Sequence, residues 1–162
     1  MKGKDMDRSY SDSDYLFLEE RFKKTEEIYE LIIKLDTMLD SALEEILDLI
    51  LERAVALTES HYGYIYFYDE ESQVFSLYSH SQMALGELPP AILELSDSGI
   101  MGDAVRQGTP KVSGMTLHVP VFHDQAIVAV IGVVDKQIPY DMYDIKYLNL
   151  LMTEGFGKLR RA

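Results

Sequence analysis

Four histidines, at 61, 80, 118 and 123, are the first residues to test for chemistry in this chain. A zinc site needs imidazoles spaced to meet one another, or to meet thiolates or carboxylates, around one ion. No His-Glu-x-x-His occurs, and cysteine is absent, so thiolate ligands, disulfides and cysteine nucleophiles are all excluded. His118 lies in an alternating "HVPV" stretch that places it where it can face a pocket, although a lone histidine more often packs half-buried. The second candidate is "SDSGIMGDAVRQGTP" at 96–110, in which two glycines three apart open a short helix. Free N–H groups at a helix start can cradle a phosphate. Nucleotide loops, however, need a third glycine or a Lys-Ser/Thr, and Asp97 and Asp103 set negative charge on either side of this one. Gly-x-Ser-x-Gly, Walker and calcium-loop patterns are also missing. The acidic pairs Glu70–Glu71 and Asp141/Asp144 fall in a turn and at a helix start, where acids have structural reasons to be. No catalytic constellation emerges, and a non-enzymatic function is the expectation.

The elements that position these residues follow from periodicity. Residues 1–14 are polar and aperiodic and read as a disordered leader. Residues 15–40 form an N-terminal helix. In it, and on into the next helix, Ile28, Ile32, Leu35, Leu39, Ala42, Ile46 and Leu49 recur at spacings of four and three. That seam reads two ways: as a dimerising coiled coil, or as the inward face of amphipathic helices. Ser41 with Glu44 fits a capping box opening a second helix to about Thr58, either separate from the first or fused with it. "GYIYFYDEESQVFSLYSH" reads as a β-hairpin turning at Asp69–Ser72, with Tyr64, Tyr66 and Tyr68 on one face and Ile65 and Phe67 on the other. "AILEL" is a short strand, and the glycine-opened helix follows, capped by Asp97 or Ser98 and stopped by Gly108. "LHVPVF" and "AIVAVIGVV" are strands joined at His123–Gln125. Pro120 belongs at an edge or beside a bulge, and the second strand, apolar on both faces, belongs at the centre. Asp141 caps a final amphipathic helix. Strands grouped between terminal helices indicate an α+β fold with helices on one face of an antiparallel sheet.

Composition narrows the partners. The chain has 162 residues and a net charge of −13, with acids spread along its length. Nucleic acid and anionic membrane surfaces reward clustered Lys and Arg, so neither is expected as a partner. The longest apolar run, 126–134, is too short to span a bilayer, and no secretory signal opens the chain. A cytoplasmic location is expected.

The order of these elements resembles the GAF domain, a sensory module related in architecture to PAS domains. "LDSALEEILDLILERAVALTESHYGYIYFYDEE" looks like its first helix and strand, and "SGIMGDAVRQGTPKV" resembles its helix–turn–strand segment. "LHVPVFHDQAIVAVIGVVDKQIPYDMYDIKYLNLLM" resembles its "VP…G…VGV…NK…F…D" ending, with Asp135 and Tyr140 replacing Asn and Phe. The resemblance implies that 41–162 is a GAF domain of bacterial signalling type. It implies about six antiparallel strands, with the N- and C-terminal helices on one face and the short helix with its loops on the other. It further implies a small-molecule pocket under that short helix. Tyr64, Tyr66, Asp97, Ile100, Met101, Val105 and His118 are the candidate lining. Lys136 and Asp144 match the motif's Lys and Asp, a pair that looks like a structural lock between last strand and last helix. Only "TPKVSGMT" separates Gly108 from Leu117, a short lid for a cyclic nucleotide. The absence of cysteine excludes covalent bilin attachment and the chemistry of the GAF-type methionine-sulfoxide reductases.

Two functions follow. In the first, the domain senses a small molecule, of unassigned identity and with no cofactor assigned, and passes the signal through its terminal helices to a downstream effector domain. In the second it is a ligand-free dimerisation and relay module with a degenerate pocket. Both imply a homodimer, its seam running through Ile28, Ile32, Leu35, Leu39, Ala42 and Ile46.

Overall fold

A computed structural model of the chain describes residues 11–38, 40–81 and 88–161. Its elements are helix α1 (Asp12–Asp36), helix α2 (Leu43–Leu57), strands β1 (Tyr62–Asp69), β2 (Val74–His80) and β3 (Ile92–Glu94), helix α3 (Gly99–Gln107), strands β4 (Lys111–Ser113), β5 (Thr116–His123) and β6 (Ala126–Val134), and helix α4 (Met142–Arg161). The six strands form one sheet in the order β3-β2-β1-β6-β5-β4, and every pairing is antiparallel. The α+β architecture read from the sequence is therefore the observed one.

Alternation along the central strands divides the side chains between two layers. Ala129, Ile131 and Val133 of β6, Leu117, Val119 and Val121 of β5, and Ile65 of β1 meet α1, α2 and α4 in the main core. The intervening positions face the other way, where Val130, Tyr66 and Phe75 pack beneath Met101 of α3. Strand β6 is central because it serves both layers. The β5–β6 turn needs left-handed backbone at both of its residues, and Asp124 and Gln125 stand at φ 51° and 68°. Pro120 is accommodated because β4 pairs no further along β5 than His118, and because a register shift follows at Val121/Phe122.

The helices correct two expectations. Helix α1 begins at Asp12 and not at Tyr15, held by a capping box between Ser11 and Asp14; the rest of the expected leader, 1–10, lies outside the described residues. The capping box expected at Ser41–Glu44 does not form. Helix α2 opens at Ala42 without a side-chain cap, so its start rests on burial of Ile46, Leu47, Ile50 and Leu51. Of the two arrangements the sequence allows, the helices are separate, α1 ending at Asp36 and α2 starting at Leu43.

The proposed dimer seam also changes meaning. Ile28, Leu35 and Ile46 are buried in the chain's own core, with Ile32 packed beside them. Ala42 is exposed at the break between helices, and Leu39 lies outside the described residues. Ile28, Ile32, Leu35 and Ile46 thus close an intramolecular contact. The outward face of α1 carries a different apolar stripe, Leu18, Phe22, Tyr29 and Ile33, at helical spacing and 48–66% exposed.

Candidate functional site

The site is built over a glycine. In β6, Gly132 pairs with Tyr64 of β1 on one side and with His118 of β5 on the other, so the three form one row across the sheet. A side chain at Gly132 would place its Cβ 2.4 Å from the Tyr64 ring and 3.0 Å from the His118 ring. Its absence lets the two flanking side chains lean together above the central strand, where Tyr64 Oη and His118 Nε2 lie 2.7 Å apart. Tyr66 stands edge-on to Tyr64, ring centroids 5.6 Å apart, and donates its hydroxyl hydrogen to the Pro90 carbonyl at 2.7 Å.

Burial determines the charge of this pair. His118 is 7% exposed, and desolvation pulls its pKa down to about 4, so the ring is neutral at ordinary pH. Desolvation likewise raises the Tyr64 phenol, which stays protonated. The other ring nitrogen, Nδ1, is enclosed and has no hydrogen-bond partner. A buried orphan N–H is rarer and costlier than a buried orphan lone pair. That balance assigns the ring proton to Nε2, which donates to Tyr64 Oη.

Helix α3 roofs this row and leaves a cleft of about 360 Å³. Of the residues singled out in the sequence, Tyr64, Tyr66, Ile100, Met101 and His118 line it. Asp97 and Val105 do not. Asp97 is exposed on the 3₁₀ turn before α3, and Val105 turns toward Phe122, at a separate cleft. Pro89, Pro90, Leu93, Ser98, Ser113 and Thr116 complete the lining and were not anticipated. Prolines 89–90 are legible as a rigid loop but not as a wall, because their place depends on where β3 docks. A Cβ at Gly102 would collide with Ser98 Oγ at 2.2 Å, in the preceding turn and not on the sheet, while Gly99 supplies a left-handed φ of 56°. Ser98 Oγ donates to the Leu95 carbonyl at 2.6 Å instead of capping α3.

Away from the cleft, Lys136 Nζ donates to both carboxylate oxygens of Asp144, at 3.0 and 2.8 Å, and both side chains are buried. The same carboxylate accepts from the Asp141 N–H at 2.9 Å, while Asp141 Oδ1 accepts from the N–H groups of Tyr143 and Asp144. The link after β6 and the first turn of α4 are thereby joined. Among the described residues no group of His, Asp and Glu is arranged to hold a metal ion, and no helix is long and apolar enough to cross a membrane.

Comparison with known proteins agrees with this architecture. The GAF domain family model matches residues 40–114. A methyl sulfide methyltransferase-associated sensor from Methanosarcina acetivorans is 33% identical over 80% of this chain, and the match spans 15% of that longer protein. Among solved structures, the GAF domain of an Acinetobacter phosphoenolpyruvate-protein phosphotransferase superposes with a TM-score of 0.64 at 18% identity, covering 83% of this chain and 94% of that one. Residues 122 to 287 of a methyl-accepting chemotaxis protein give 0.69 at 11% identity, covering 81% and 95%. The free methionine-R-sulfoxide reductase of Neisseria meningitidis gives 0.63 at 16% identity, covering 94% and 95%, so the same fold also serves an enzyme. Its strand order and helix-covered sheet face are those of the GAF fold, and residues 40–114 match the GAF domain family.

Proposed function

We propose that this chain is a non-catalytic sensory domain that binds a small molecule in the cleft under α3 and transmits the occupied state through α1 and α4. The observation that carries this reading is the Tyr64–His118 pair held over Gly132. Two polar side chains sit in an apolar layer, and they face a cleft. The absence of cysteine removes the thiol chemistry that a reductase reading would need. The likeness to a sensor supports the class, and the output domain, a cytoplasmic location and the longer chain belong to the same proposal. A thermal-shift screen against nucleotides, tetrapyrroles and common metabolites tests it. A true ligand at a hundred times its Kd adds about 2.7 kcal/mol of stability. Failure of every compound to raise Tm turns the assignment to the second reading.

That second reading is a ligand-free relay whose business is dimerisation, and the outward stripe of α1 favours it. Leu18, Phe22, Tyr29 and Ile33 form an apolar ridge on a helix otherwise flanked by charge, and a second copy of the same helix is its simplest cover. Sedimentation at micromolar concentration tests the dimer, which both readings share. A monomer at that concentration removes it.

A further inference from the structure

Of all the groups that face the cleft, none among the described residues carries a charge. The apolar part comes from Tyr66, Leu93, Ile100 and Met101, and the polar part from hydroxyls and one imidazole. The imidazole is neutral, since burial alone lowers its pKa to about 4. An anion entering this cleft would lose its hydration without meeting a cation, and the chain's net charge of −13 opposes its approach. A cation would find no carboxylate among the described lining to replace the water it gives up.

The polar groups also have a direction. With the ring proton of His118 on Nε2 and donated to Tyr64 Oη, the Tyr64 hydroxyl keeps its own hydrogen to give, and the phenol faces the cleft. Tyr66 cannot substitute, because its hydrogen is already committed to the Pro90 carbonyl. We infer that the cleft takes an uncharged molecule bearing a hydrogen-bond acceptor, a carbonyl oxygen or a ring nitrogen, which Tyr64 recognises by donating its phenolic hydrogen. His118 acts on it indirectly, by holding Tyr64 in the donating orientation.

This inference rests on the sensory reading of the cleft, and two measurements test it separately from that reading. The first is ligand-observed and ¹H–¹⁵N NMR on the full chain with a fragment set balanced across neutral, anionic and cationic members. Nicotinamide, nicotinate and 1-methylnicotinamide form one near-isosteric trio within it. Expected are hits among neutral acceptors that shift the signals of Tyr64, Met101 and His118, with charged counterparts at least tenfold weaker. Charged members binding the same residues as tightly would overturn the inference and leave the sensory reading standing; no binder of any charge at the cleft removes both. Tyr64→Phe, which keeps the ring and deletes the donor, should weaken the best neutral fragment about fivefold to tenfold while leaving the fold intact by circular dichroism. Unchanged affinity in Tyr64→Phe sinks the assignment of Tyr64 as donor. The second measurement needs no ligand: long-range ¹H–¹⁵N correlation at neutral pH should show His118 as the Nε2–H tautomer. Finding the proton on Nδ1 would mean that Tyr64 spends its hydrogen on the ring, and the inference falls.

Discussion

His118 and Tyr64 form a polar bond inside an apolar layer, and the chain's response to acid should reveal it. The folded pKa of His118, about 4, lies below the ordinary 6.5, so in the window between them the unfolded chain binds a proton that the folded one refuses. Stability from this group is therefore complete above pH 6.5 and is lost as pH falls toward 4, by on the order of 3 kcal/mol. Urea titrations across that window, compared with His118→Gln, should show the wild type losing stability more steeply; parallel curves would refute it. Gly132 is the residue on which the pair depends. Gly132→Ala puts a methyl group against the Tyr64 ring, and a cost of about 1–3 kcal/mol is expected, together with a changed His118 ring-nitrogen shift. A strand glycine amid "VAVIGVV" was visible in the sequence, but not the two partners that its missing side chain admits.

The helices divide their apolar residues between inside and outside, and substitution should separate the two sets. Ile28→Ala removes a fully buried side chain from the core and should destabilise by about 2–5 kcal/mol. Phe22→Glu and Ile33→Glu lie on the outward stripe of α1, so both should preserve the fold by circular dichroism while dissociating the proposed dimer in sedimentation. A dimer that survives both changes places its interface elsewhere. At the start of α4, burial pushes the Asp144 carboxyl upward, while hydrogen bonds from Lys136 and the Asp141 N–H pull it down. Asp144→Ala would leave the Lys136 ammonium buried without its counter-charge, and a loss of about 3–5 kcal/mol is expected in urea unfolding. A loss below about 1 kcal/mol would show that water replaces the carboxylate.

At the scale of the whole molecule, the sheet separates two duties. One face is sealed by α2 and α4, with α1 packed on those two helices, and among the described residues the other carries α3 and loops. A ligand under α3 would lie one sheet thickness away from α2 and α4, an arrangement that suits the proposed sensor. In the proposed relay the connection runs through one strand: Gly132 lies between Tyr64 and His118, while its neighbours Ile131 and Val133 pack in the core against the helical layer. A ligand that shifts Tyr64 should therefore alter amide exchange in α1 and α4 as well as in α3. Hydrogen-exchange mass spectrometry on the chain, free and with its best neutral fragment, should show protection in both layers. Protection confined to α3 would argue that binding is not relayed.

Much of this was written in local sequence. Alternation in β1, β5 and β6 determined which residues face each layer, because a strand's period of two is a property of its own backbone. Asp141 as a cap and a turn within His123–Gln125 likewise depend on near neighbours alone, and the all-apolar run marked a strand covered on both faces. Tertiary structure decided the rest. The heptad-like residues Ile28, Leu35 and Ile46 are compatible with a partner chain or with the chain's own core, since both present apolar surface to a helix face, and packing among the chain's own helices buries them. The cleft lining joins residues from β1, β5, α3 and the loop at Pro89–Pro90, and the site depends on Gly132 lying between Tyr64 and His118. Strand register sets that row, and register is fixed by burying whole faces together, not by any one segment.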